Sequence, residues 1–213
     1  MNALLIIDVQ NDFCPGGTLA VNDGDQIIPI ITKIRDRFDL VVATQDWHPA
    51  GHKSFASSHN KNVGEIIELG GQPQVLWPDH CVQNTPGAEF KKGLELKPGD
   101  KIIRKGMNPE VDSYSGFFDN NHVDATGLNE YLKSMGVTEL FLAGLATDYC
   151  VKFTALDGIK LGYKVNVILE ACKAVELKPG DAERAVAEME AAGVRIIKQF
   201  LKPPTALYQP PLR

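Results

Sequence analysis

The feature that most constrains the fold is an alternation between two hydrophobic periods along the chain. Ala3-Leu4-Leu5-Ile6-Ile7 is a continuous apolar run, the pattern of a strand buried on both faces. Ile27, Ile30, Ile31, Ile34 and Phe38 then recur at helical spacing, with Pro29 admissible only near the first turn. Leu40-Val41-Val42-Ala43 reads as a second buried strand and Lys101-Ile102-Ile103-Arg104 as a third. Between them, 45–100 is rich in Gly, Pro, Asn and His and carries little periodicity. Leu128, Tyr131, Leu132 and Met135 mark a helix closed by Gly136. Leu140-Phe141-Leu142-Ala143 is the fourth strand, 147–161 a helix ended by Gly162, and 165–169 the fifth strand. Ala182, Ala185, Val186 and Met189 line a further helix ended by Gly193, and 194–197 is the sixth strand. Strands alternating with helices predict a three-layer α/β/α domain, its six-stranded, mostly parallel sheet covered on both faces. The 213 residues fit one domain. No linker divides them, so we assign 1–200 to the domain and 201–213, with its four prolines, to a tail of no domain.

Charge and composition exclude several functions. With 22 basic against 27 acidic residues the formal charge is −5, which gives no electrostatic reason to hold nucleic acid or an anionic membrane. No apolar run approaches the roughly 20 residues that span a bilayer. The first residues lack the basic start and cleavage site of a signal peptide. A soluble, cytoplasmic protein is expected. Four cysteines, Cys14, Cys81, Cys150 and Cys172, show no C-x-x-C spacing and make no disulfide framework. There is no G-x-G-x-x-G after the first strand and no G-x-x-x-x-G-K-[ST], so nucleotide binding lacks its usual signature.

In open sheets of this kind ligands sit at the carboxyl ends of the strands. Strand one ends in Asp8, strand two in Thr44-Gln45-Asp46-Trp47-His48-Pro49, strand three in Lys105, and strand four leads into Gly144-Leu145-Ala146-Thr147-Asp148-Tyr149-Cys150. Four strands thus deliver Asp, Asp/His, Lys and Cys to one edge. With Thr147 as N-cap, Cys150 falls at the third helical position, where amides, the helix dipole and a nearby Lys105 would favour a thiolate. Asp8 could take the thiol proton and return it to a leaving group. Backbone amides near Ala146 and Cys150 could receive an oxyanion. A buried helix cysteine without chemistry is the competing reading; Cys14, Cys81 and Cys172 are assigned to packing alone.

Asp46 and His48 lie two apart on an extended segment, so both side chains can face one way. His80, from the long loop, could close a site with them. Two imidazoles and one carboxylate suit Zn²⁺, Fe²⁺ or Mn²⁺ and leave room for water or substrate. His52 is a rival third ligand and His59 a weaker one; both otherwise read as solvated loop histidines. Ser54 could approach a metal directly or through water. Phe13, Trp77, Tyr114 and Leu19 fall in loops expected to overhang this edge, where aromatic and apolar groups suit a flat ring. For Leu19, packing of a lid is the favoured reading.

The same residues carry a resemblance. Ile6-Ile7-Asp8-Val9-Gln10-Asn11-Asp12-Phe13, Thr44-Gln45-Asp46-Trp47-His48-Pro49, Arg104-Lys105-Gly106 with Ser113-Tyr114-Ser115-Gly116-Phe117, and Gly144-Leu145-Ala146-Thr147-Asp148-Tyr149-Cys150-Val151 resemble the isochorismatase-like cysteine hydrolases. The Asp-Trp-His-Pro stretch with His80 is similar to the metal-dependent nicotinamidase/pyrazinamidase branch. The likeness runs from about residue 2 to about residue 198. It implies the isochorismatase-like hydrolase fold over 1–200, and an Asp8–Lys105–Cys150 triad. It implies one divalent metal ion (Zn, Fe or Mn) on Asp46, His48 and His80 with waters, and a cis peptide between Leu145 and Ala146. The loop after the Asp-x-His varies in the family, leaving His52, Ser54 or water as a further ligand. The activity implied is hydrolysis of nicotinamide to nicotinate and ammonia through a Cys thioester, in NAD salvage, with pyrazinamide as a second substrate. The substrate's pyridine nitrogen would sit on the metal, its ring against Phe13 and Trp77. No feature specifies an oligomeric state. Two other readings stay open: a hydrolase of another small amide or an isochorismate-type substrate, and a non-catalytic metal- or partner-binding relative.

Overall fold

The computed structural model describes residues 1–201; the tail assigned to 201–213 lies outside them but for Leu201. Six parallel strands form the central sheet: β1 (Asn2–Ile7), β2 (Leu40–Asp46), β5 (Lys101–Lys105), β6 (Glu139–Leu145), β7 (Lys164–Lys173) and β8 (Arg195–Ile197). Their order is β5-β2-β1-β6-β7-β8. The chain therefore builds outward from β1 through β2 to β5, then returns to the other side of β1 with β6. Between β1 and β6 the direction of winding reverses, which opens a crevice at the carboxyl ends.

The apolar run of β1 is explained by two-sided burial. Alternate residues of a strand face opposite ways. Leu5 and Ile7 join Leu128 and Leu132 of α2 (Leu128–Ser134), Ala155 of α3 (Lys152–Lys160) and Met189 of α4 (Asp181–Ala191). Leu4 and Ile6 instead meet Ile28, Ile31 and Ile34 of α1 (Ile28–Ile34). All four strand residues have no exposed surface. Pro29 sits in the first turn of α1, where its missing N–H has no intrahelical partner to lose.

The structure departs from the sequence reading in three elements. The long segment after β2 contains a two-stranded antiparallel hairpin, β3 (Ile66–Leu69) and β4 (Gln72–Val75). Its signal was the Gly70-Gly71 pair between two short runs, too short and mixed to show a period. β7 runs on to Lys173 past a register shift opposite Leu142 and Gly144, so it outlasts its apolar core. Thr147 does not cap a helix. Ala146 is the cap residue of a π-type turn, Thr147–Val151, and no side chain caps it. Cys150 is therefore the fourth residue of the turn. Its geometry is the wide one, with the Val151 N–H donating to Ala146 O at 3.1 Å.

Candidate active site and metal centre

Four strand ends meet at the crevice. Asp8 follows β1 with a left-handed backbone (φ 47°). Lys105 ends β5, Asp46 ends β2, and Cys150 stands in the turn after β6. Lys105 Nζ lies 3.0 Å from Asp8 Oδ2 and 3.1 Å from Asp46 Oδ1, and 3.5 Å from Cys150 Sγ. It also donates to Ser113 O at 2.8 Å. One buried ammonium thus joins Cys150, Asp8 and a candidate metal ligand. The two carboxylates and the thiol hold its pKa well above the ordinary lysine value against the cost of burial, so it stays charged.

Asp8 accepts the Thr44 hydroxyl at 2.6 Å. Its Oδ2 touches Lys105 without a well-aligned hydrogen bond, which leaves a lone pair open. Burial raises the Asp8 pKa, with Asp46 adding to the rise and Lys105 opposing it. Burial likewise pushes the Cys150 thiol well above its ordinary value; Lys105 opposes this, while Asp8 and Asp46 reinforce it. The thiolate expected from helix position and Lys105 is thus opposed first by burial of the thiol, with Lys105 acting against that rise. Burial also pushes Cys14 to about 11 and Cys172 to about 12, and Cys81 upward too, in keeping with packing roles.

Asp46, His48 and His80 offer ligand atoms within 4.8 Å of one another, all buried. The residues fit a divalent ion on a specific ground. His48 Nδ1 lies 2.9 Å from Gly106 O and His80 Nδ1 lies 2.8 Å from Pro78 O. A ring nitrogen facing a carbonyl carries a proton, so it is the Nε2 of each ring that is turned toward Asp46. Those atoms stand 3.0 and 3.5 Å from Asp46 Oδ2. Two ring nitrogens and a carboxylate oxygen so close suit a cation between them, and carbonyl-anchored imidazoles are how proteins orient metal ligands. Burial alone would lower the His48 pKa, yet Asp46 and Asp112 raise it, the same demand for positive charge. Gly106 has φ +68°, and a Cβ there would come within 2.6 Å of the His48 ring. Glycine is what lets this backbone reach the imidazole.

His52 is not a solvated loop residue, as expected from sequence, but has no exposed surface. Its Nδ1 faces the Ser54 hydroxyl at 2.8 Å and its Nε2 faces Asn108 O at 2.8 Å. His52 and Ser54 satisfy each other, and the His52 ring lies tilted against that of His48, with centroids 4.3 Å apart. His59 is half-buried and faces Lys53 O.

Phe13, Leu19, Trp77 and Tyr114 all line one cleft with Asp46, His80, Ala146 and Cys150, around an empty volume of about 370 Å³ that is partly open to solvent. Leu19 is thus a wall residue as well as a packing one. Phe13 leans on His80 (5.4 Å), and Trp77 meets Tyr149 edge-on (4.9 Å). The Trp77 N–H donates to the Tyr114 hydroxyl at 3.1 Å. The peptide between Leu145 and Ala146 is cis. Sequence reasoning missed Asp112, Tyr149 and Val175, which also line the cleft. Asp112 is buried, accepts from Gln74 Nε2 at 3.1 Å and comes within 3.9 Å of His48 Nε2. Its place in an aperiodic loop carries no signal, whereas Tyr149 lies beside the candidate nucleophile Cys150 in sequence.

Comparison with known proteins shows the family and the fold. Residues 2–199 match the family described as Isochorismatase domain. The chain is 49% identical over 198 residues to the nicotinamidase of Escherichia coli, covering 91% of this chain and 93% of that one. It superimposes on an Acinetobacter baumanii nicotinamidase/pyrazinamidase structure with a TM-score of 0.89 at 48% identity, covering 92% and 95% of the two chains. A Pyrococcus horikoshii pyrazinamidase solved in complex with zinc gives 0.76 at 40% identity, covering 93% and 99%.

Proposed function

The chain belongs to the isochorismatase family, and we propose that it is a nicotinamide amidohydrolase, releasing nicotinate and ammonia. The observation that carries this reading is Lys105, whose ammonium touches Asp8, Asp46 and Cys150 at once. It welds a cysteine-hydrolase cluster to a metal-type donor set across an aromatic-walled slot. The slot suits a flat heteroaromatic ring, and Cys150 at its floor suits a carboxamide. Relatives close in sequence carry nicotinamidase activity in their names, and some carry pyrazinamidase activity, which extends the proposal to pyrazinamide and to a place in NAD salvage.

Asp46, His48 and His80 would hold a divalent ion, for which Zn²⁺, Fe²⁺ and Mn²⁺ all suit two imidazoles and a carboxylate. When bound, such an ion supplies a coordination point for the ring nitrogen and positive charge beside Asp46. The chain's own residues do the rest. Phe13 and Trp77 hold the ring and exclude water. The Cys150 thiol passes its proton to the open Asp8 lone pair as Sγ attacks the carboxamide carbon. The Ala146 and Cys150 backbone N–H groups receive the oxyanion. Protonated Asp8 gives its proton to the departing nitrogen, the C–N bond breaks, and ammonia leaves a thioester. Asp8 then takes a proton from water, whose oxygen attacks the thioester and frees nicotinate; the thiol recovers the proton. Lys105 stays charged throughout and balances the negative charge as it moves between Sγ and Asp8.

No helix among the described residues is long and apolar enough to cross a membrane. The four buried cysteines are free, as a reducing cytoplasm would keep them. Cys150→Ala tests the covalent scheme. It removes the nucleophile but leaves the ring site, so nicotinamide should still quench Trp77 fluorescence while ammonia release vanishes. Ammonia release by this variant would refute the thioester.

A further inference from the structure

Val175 lies in the segment between β7 and α4 and forms part of the cleft wall. It also borders a larger open groove lined by Leu169, Cys172, Ala182 and Val186. Val175 thus stands between the narrower cleft and the wider groove. What holds it there is Asp148, on the nucleophile's own turn. The Val175 and Glu176 N–H groups donate to the two carboxylate oxygens of Asp148, at 3.0 and 2.8 Å. Glu176 is held in the left-handed region (φ 56°), which a side-chain-bearing residue adopts only when its surroundings impose it. Asp148 is only 5% exposed, and hydrogen bonds to a buried carboxylate are the strong kind. It is not among the residues facing the cleft.

Resting on the proposed function, we infer that Asp148 is a positioning residue which sets the width of the ring slot through Val175, separately from the chemistry at Cys150. Cys150 stands two residues on, yet both Asp148 oxygens are spent on the opposite wall. Loosening the clasp should let Val175 yield toward the groove. The slot then holds nicotinamide less well and excludes ring-methylated nicotinamides less well.

The test is steady-state kinetics of Asp148→Ala and Asp148→Asn with nicotinamide and a panel of ring-methylated nicotinamides. Asp148→Ala should raise KM for nicotinamide about tenfold or more, the scale of lost hydrogen bonds to a charged acceptor. It should leave kcat within about threefold, the signature of lost binding rather than lost chemistry. Asp148→Asn, which keeps one acceptor, should fall between. The ratio of kcat/KM for methylated over plain ring should rise. Val175→Ala should show the same pattern, and the double variant should be less than additive. A fall in kcat at unchanged KM, or full additivity with Val175→Ala, would overturn the inference. Hydrogen exchange on the unaltered protein covers the case of variants that fail to fold. The Val175 and Glu176 amides should exchange more slowly than that of exposed Leu177, and equal rates would refute the clasp. That readout needs no turnover, so it separates failure of the clasp from failure of the nicotinamidase reading.

Discussion

Cys150 and Asp8 share a dependence that neither residue would show alone. Burial raises both pKa values, and each carboxylate near the thiol raises it further. Both shifts favour the protonated forms, so in the proposed mechanism attack by Cys150 and proton transfer to Asp8 go together. The sign of the pH dependence follows. Asp8 works as a base only when ionised, and its pKa is raised, so activity is lost as pH falls through a value above the ordinary aspartate range near about 4. A pH profile of kcat/KM should place its acid limb above that range, and a limb at or below it would contradict the account of Asp8. The sequence brought Asp8, Asp46, Lys105 and Cys150 to one edge, where the structure also has them, but carried no sign of the burial that works against a thiolate. It showed Lys105 near Cys150 and could not show that Asp46 comes within 3.1 Å of the same ammonium.

At the scale of elements, what matters is how short segments aim their side chains. The end of β2 aims Asp46 and His48 at one point, and the loop carrying His80 completes it. His48 is held from behind by Gly106 O, whereas both nitrogens of His52 are engaged by Ser54 and Asn108. Metal content of two variants separates these roles. His48→Ala should lower metal affinity by more than about 100-fold, beyond what loss of an outer supporting group costs, while His52→Ala should lose far less. The reverse order would hand the ligand role to His52. The i, i+2 spacing of Asp46 and His48 was legible because strand geometry fixes it. The hairpin β3–β4, the burial of His52 and the approach of Asp112 were not, because each depends on contacts between loops distant in sequence. Gln74 of the hairpin reaching Asp112 is the plainest case. The wide turn at Thr147–Val151 was also hidden, since a Thr-Asp pair before an apolar stretch reads as an ordinary helix start.

The whole molecule explains why unrelated segments meet. A sheet that builds outward from β1 and then restarts on its other side leaves the ends of β1 and β6 facing one crevice. That architecture was readable because every sheet strand but β5 carries a mainly apolar run and every crossover a helical period or a long loop. β5 itself is an edge strand with alternating burial. On that frame the cysteine cluster and the metal donors are not neighbouring sites but one site, joined through Lys105. The measurement that tests this most directly is ammonia release from nicotinamide by purified protein, before chelation, after it, and after a divalent ion is returned. Release that chelation removes and added metal restores is the predicted result. Undiminished release after complete metal removal would contradict the single joined site, and no release by the metal-loaded, reduced protein would contradict nicotinamide hydrolysis itself.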